Sequence, residues 1–103
     1  MNYRIVDAAI ADIQAAADYY DAREPTLGDE FADVVQLFVK ELCRIPQKFA
    51  RVNRYPKKRE IREGMTRRFP YVVVYKVTPL EIVVLSVTHS AKIHRPWRER
   101  LGS

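Results

Sequence analysis

One cysteine, three glycines, one tryptophan and two histidines in 103 residues leave several chemistries without their parts. Cys43 alone can form no internal disulfide and no thiolate cluster, and beside Leu42 and Ile45 it reads as a small buried helix residue. With glycine so scarce, no phosphate-cradling loop can be written, which argues against a nucleotide-binding enzyme. Ser86, Thr88 and Ser90 lie near His89, but no oxyanion-loop signature or matching acid accompanies them, so serine-hydrolase chemistry is not expected. His89 and His94 lack the carboxylates or thiolates that complete a metal site. No apolar run approaches the ~20 residues of a membrane helix, and the segment from Met1 to Asp7 lacks the pattern of a secretory signal. The expectation is a cytoplasmic protein with no cofactor, no metal and no membrane contact.

What is present is the composition of a folded domain: 48% hydrophobic and 30% charged residues. A chain of this length supports one core, so residues 1–103 are expected to form a single domain. The overall charge of +5 conceals a division. Residues 1–50 carry 5 Lys/Arg against 9 Asp/Glu, a net of −4, whereas residues 51–103 carry 13 against 4, a net of +9. The second half therefore holds a basic surface, suited to a polyanion or to an acidic protein.

Hydrophobic spacing orders the elements. Tyr3-Arg4-Ile5-Val6 predicts a short strand, and Asp7 is placed to cap a helix in which Ile10, Ile13, Ala17 and Tyr20 share a face. Glu24-Pro25 breaks it, because proline disfavours helical backbone at the residue before it. Leu27, Phe31, Val34, Val35, Phe38, Leu42 and Ile45 mark a second, more strongly amphipathic helix that ends at Ile45-Pro46. Residues 47–58 are irregular and basic. Glu60-Ile61-Arg62-Glu63 predicts a weak strand, with Gly64 allowing a turn or bulge after it. Two strong strands follow, up to Val77 and from Ile82 to His89, joined by a turn at Thr78-Pro79-Leu80-Glu81. The expected architecture is α+β, in the order β-α-α-β-β-β, with a small, mostly antiparallel sheet against a two-helix hairpin.

The first strong strand is apolar on both faces: Phe69, Tyr71, Val73, Tyr75 and Val77 alternate with Val72 and Val74. Both sides of the sheet therefore need cover. The helices supply one; the tail with Trp97, a second copy or a partner must supply the other.

Candidate contact residues cluster in the basic half. Lys57, Lys58, Arg59, Arg62, Arg67 and Arg68 surround the middle strand and its loops, either as a solvated rim or as cations that could bind phosphates or stabilise a phosphorane-like transition state. His89 closes the last strand, on an apolar face, as a structural histidine or a proton carrier. Tyr75 and Trp97 have rings able to stack on a base, although Tyr75 sits in a dense apolar strand.

Several of these stretches carry a family resemblance. They are Ala11-Asp12-Ile13 with Tyr19-Tyr20, Leu27-Gly28-Asp29-Glu30-Phe31, Ile45-Pro46, Arg68-Phe69-Pro70-Tyr71, Val74-Tyr75-Lys76-Val77, Val87-Thr88-His89 and Arg95-Pro96-Trp97. In this order they resemble the RelE/ParE superfamily of toxins from bacterial toxin–antitoxin modules, and the phenylalanine-proline-tyrosine strand and histidine exit resemble its ParE, or plasmid-stabilisation, branch.

The resemblance implies the fold already expected and an antitoxin that wraps the domain and covers apolar surface. The ParE branch implies action on DNA gyrase; the RelE branch implies cleavage of messenger RNA on the ribosome, by basic residues on the sheet face and an aromatic residue in the C-terminal segment. In this chain Val72 stands where the ribonuclease branch usually has an arginine, and Glu60 and Arg62 replace a pair of lysines. The leading expectation is a gyrase-directed toxin neutralised by a cognate antitoxin, with Lys57, Lys58, Arg59, Arg62, Arg67, Arg68, His89, Arg95 and Trp97 as target-binding candidates and a homodimer as a possible assembly. The alternative is a ribosome-dependent ribonuclease using Arg62, Arg68, His89 and Lys92. A third reading is an inactive module that only binds its antitoxin.

Overall fold

The strongly patterned second helix organises the molecule. The structure, a computed structural model, describes residues 1–52, 60–92 and 96–101. Its elements are β1 (Asn2–Ile5), α1 (Asp7–Arg23), α2 (Leu27–Arg44), β2 (Glu60–Met65), β3 (Tyr71–Val77), β4 (Glu81–His89) and a final 3₁₀ turn (Pro96–Arg100). The four strands form one sheet in the order β1-β4-β3-β2, with β1 parallel to β4 and the other pairs antiparallel. This is the α+β arrangement expected from the hydrophobic spacing.

Phe31, Val35, Val39 and Leu42 bury one stripe of α2 against the sheet. Aromatic rings fix its N-terminal end: Phe31 lies 4.7 Å from Tyr71 and 5.4 Å from Phe69, and Tyr20 of α1 lies 4.8 Å from Phe69. Such offset and edge contacts add specificity to the area buried. In α1 the buried positions are Ala9 and Ala16, with Ile13, Ala17 and Tyr20 packed against the core. Ile10, placed on that face from its spacing, is instead 52% exposed, because small alanines let the helix lie close and turn Ile10 outward. Ile45, past the end of α2, is 39% exposed.

The helix starts differ from expectation. Asp7 is the first residue of α1 rather than its cap, which is Val6 without a side-chain hydrogen bond. At α2 the cap is Thr26, in left-handed backbone at φ 70°, and the stabilising side chain comes from the preceding helix: Gly28 N donates to Asp21 Oδ1 at 2.7 Å.

Gly64 lies inside β2 rather than in a turn after it; a Cβ there would meet the Phe49 ring at 2.6 Å, so the glycine makes room for an aromatic ring that stacks on Phe38. β3 begins at Tyr71, and the residues before it bend, with the Thr66 hydroxyl donating to the Phe69 carbonyl. The turn into β4 is closed by Thr78, whose hydroxyl accepts from Glu81 N at 2.9 Å.

Part of the second face of the sheet is covered by the chain itself. Tyr75 packs with Leu42 of α2, so its neighbour Lys76 points away from the helices. Lys76 Nζ donates to Leu101 O at 3.3 Å, which puts the end of the chain on that far side. Trp97, 2% exposed, and Leu101 both join the hydrophobic core, so the tail, too polar to form a core alone, contributes two apolar anchors to one.

Candidate functional site

Among the described residues, the sequence-derived contacts Arg62 and His89 lie far apart. Arg62 pairs in register with Tyr75 on one side of β3, and His89 with Tyr71 on the other. Four residues along a strand span about 13 Å, and two strand spacings add about 9 Å sideways. Arg62 is also committed: its guanidinium donates to Glu60 Oε1 at 2.8 and 3.0 Å and to Phe49 O at 2.6 Å. Because Phe49 stacks on Phe38 of α2, Arg62 lies on the helix side of the sheet, away from its open face.

Arg68 pairs with Glu30 at 2.9 Å and lies over the Phe69 ring at 5.1 Å, while Arg67 beside it is exposed. His89 stands edge-on to Tyr71 at 5.4 Å, and its Nδ1 accepts from Ala91 N at 3.0 Å. Lys92 is exposed beside it. Trp97, read as a base-stacking ring, is buried in the core and offers no face to a ligand; Tyr75 is fully buried as well, its hydroxyl donating to Pro46 O at 3.0 Å. Lys57, Lys58, Arg59 and Arg95 lie outside the described residues.

Burial sets the protonation of three side chains. Burial, helped by the neighbouring Tyr20, pushes the Tyr71 phenol up to about 12, and burial also raises Tyr75 and the Cys43 thiol. All three stay protonated at neutral pH. Among the described residues no group of three or more His, Cys, Asp or Glu is placed to hold a metal ion, and no helix is long and apolar enough to cross a membrane.

What the fold does build is a groove of about 870 Å³ between α1 and the end of β4. Ala8, Ala11, Ala15 and Ala16 line it on the helix side, and Val87, Thr88, His89 and Tyr71 on the sheet side. Tyr19, Arg23, Lys92 and Arg100 form its rim, with the Arg23 guanidinium 4.4 Å from the centre of the Tyr19 ring. Its one carboxylate, Asp12, is paired with Arg100 at 2.7 Å, and Arg23 and Lys92 add two cations to the lining.

Alanines one turn apart permit close approach by another backbone, and the volume matches sites that take a large side chain or a turn of helix. Hydropathy passed over this surface because alanine scores as neither core nor contact. The legible signal was alanine at 8, 11 and 15 followed by tyrosine at 19, spacings of three and four residues that share one helix face.

The groove thus joins an apolar floor to a basic rim. A family profile described as "ParE toxin of type II toxin-antitoxin system, parDE" matches residues 3–94. The chain belongs to the ParE toxin family. A solved structure titled "Chromosomal ParDE TA system from P. aeruginosa" shares its fold, with a TM-score of 0.73 at 23% identity, covering 86% of this chain and 95% of that one. A search of curated protein sequences finds no match. As a ParE toxin, the chain is the toxin component of a type II module, whose partner is a cognate antitoxin.

Proposed function

We propose that this ParE toxin acts on DNA gyrase and is neutralised by an antitoxin helix seated in the groove between α1 and β4. The observation that carries the first part is the commitment of Arg62 to Glu60 and Phe49 on the helix side of the sheet. A ribonuclease of the RelE kind needs cations gathered at the scissile phosphate, and here Arg62 and His89 stand on the two strands that flank β3, at opposite ends of it.

The groove supports the second part. Its alanine floor suits a helix presenting small apolar residues, and the Arg23 and Lys92 rim suits a helix whose flank carries carboxylates. Such a helix would bury Tyr19, now 52% exposed.

The test is purified protein with gyrase and relaxed plasmid. Loss of supercoiling, or accumulation of cleaved DNA, restored to normal by equimolar antitoxin, is the expected result. Gyrase untouched at large excess, with new codon-linked ends in translated messages, would transfer the protein to the ribonuclease reading. Normal growth on induction without antitoxin would leave only a binding module.

A further inference from the structure

We infer that the C-terminal turn is a latch that completes one wall of the groove, so that its seating on the sheet and a partner's seating in the groove are thermodynamically linked. The inference rests on the reading that the antitoxin occupies that groove.

The latch follows from how the sheet ends. β1 pairs with β4 only from Glu81 to Val84, after which Val6 N donates to Val84 O and the chain turns into α1. β4 continues to His89, and the described residues place no strand along this side of it. An open edge exposes backbone donors and acceptors that need partners. Two side chains serve it here. Arg100 Nη1 donates to Leu85 O at 2.9 Å, and Val87 N donates to Asp12 Oδ2 at 3.0 Å.

The same two side chains also pair with each other, through Arg100 Nη1 to Asp12 Oδ2 at 2.7 Å and Nη2 to Oδ1 at 3.3 Å. One closed set of hydrogen bonds thus ties α1, β4 and the tail together. Each partner is only 18% exposed, so solvent screens the pair weakly. It sits where the β3–β4 register slips at Val74/Tyr75, a weak point in the ladder.

Beyond this fastening the docked tail is imperfectly satisfied. Ser86 and Thr88 pair with Val74 and Val72, and alternation turns them toward the face that the tail covers. Both hydroxyls are buried without a hydrogen-bond partner, a cost that lifting the tail would relieve. Closure therefore rests on the ion pair together with the Trp97 and Leu101 anchors. Because Arg100 and Thr88 also line the groove, a ligand that uses this wall selects the closed state, and reciprocity requires that opening the latch weaken the ligand.

Trp97, the single tryptophan, is 2% exposed in the latched tail and reports on it directly. The experiment measures acrylamide quenching of Trp97 and calorimetric affinity for the antitoxin encoded beside this chain, in wild type, Arg100→Ala, Asp12→Asn and the groove variant Ala15→Glu. Asp12→Asn keeps an acceptor for Val87 N while removing the charge, and it carries the test should Arg100→Ala unfold by circular dichroism. Both latch variants are expected to quench more readily than wild type and to bind antitoxin about tenfold more weakly, the effect of losing one charge-assisted hydrogen bond. Saturating antitoxin should return Asp12→Asn to wild-type quenching. An unchanged Trp97 signal in the latch variants, or an opened Trp97 with unchanged affinity, overturns the latch. Ala15→Glu separates the two readings: if it binds antitoxin as tightly as wild type, the groove assignment fails instead.

Discussion

Gly28→Ala should loosen the helical hairpin. Gly28 sits in the first turn of α2, where it meets α1: its N–H donates to Asp21 Oδ1 at 2.7 Å. A Cβ added there would lie inside contact distance of the Ala17 carbonyl oxygen and 2.7 Å from Asp21 Cγ. The first neighbour is backbone, which no rotamer change can move, so α1 and α2 must separate or the Asp21 hydrogen bond must break. Alanine is the better helix former, by about 0.5–1 kcal/mol, and this opposes the clash. Overpacking typically costs about 1–3 kcal/mol, and loss of a capping hydrogen bond about 1 kcal/mol. The clash wins by about 1–2 kcal/mol, equivalent to a fall in Tm of about 5–15 °C for a domain of this size. Thermal melts followed at 222 nm, with urea midpoints as a second measure, decide it. An unchanged or higher Tm would mean that helix propensity outweighs the contact and that the hairpin is looser than described. Because α1 forms one wall of the groove, antitoxin affinity should fall with Tm.

Three further outcomes follow from other strained or buried groups. Thr26→Asn should raise Tm by several degrees, since a β-branched residue at φ 70° is held in a region that costs it about 1–2 kcal/mol and asparagine tolerates; a lower Tm would show that threonine makes an offsetting contact. Gly64→Ala should destabilise by about 1 kcal/mol, less than Gly28→Ala, because its obstacle is the Phe49 ring, a side chain able to shift; a loss equal to that of Gly28→Ala in the same melts would refute this ranking. At alkaline pH the Tyr71 phenol keeps its proton in the fold up to about pH 12, whereas the unfolded chain loses it near 10, so this contribution is intact below pH 10. Between those values stability should fall by about 1.4 kcal/mol per pH unit, and urea titrations of Tyr71→Phe should show a shallower fall; an identical slope would refute the assignment.

The fold was legible because its strongest elements carry their period openly. Phe31, Val35 and Leu42 place α2 by spacing alone, and the double-faced valine strand announced a sheet covered on both sides. Finer positions escaped where a distant residue decides them. Asp21 supplies α2 with the stabilising acceptor that a local cap would provide, and Phe49 explains Gly64 from 15 positions away. The groove escaped for another reason. Its floor is alanine, which carries almost no hydropathy signal, and its wall includes Arg100, 88 residues from its partner Asp12. Trp97 stayed open between a stacking ring and cover for the second face, because a tryptophan among arginines fits either, and the tertiary fold buries it.

The register of β2 ties these points to function. Side chains on a strand alternate strictly, so the pairing of Arg62 with Tyr75 assigns every β2 residue to a face. Arg62 and Gly64 go to the helix side, where Phe49 provides a carbonyl for the first and needs the space left by the second. Glu63 and Met65 then go to the other side, and both are exposed. Their partners there are Val74 and Val72, so the open end of that face presents a carboxylate, a thioether and valine rather than cations. A phosphate backbone would meet no counter-charge from β2 on it. Moving Arg62 to that face would take a one-residue slip, which would also drive Glu63 beneath Phe49 and turn Ile61, now 1% exposed, out of the hydrophobic cluster it joins. Packing thus holds the arginine away from any nucleic acid on this face, and among the described candidates Arg67, Arg68 and Lys92 are exposed outside β2, where a protein surface can reach them.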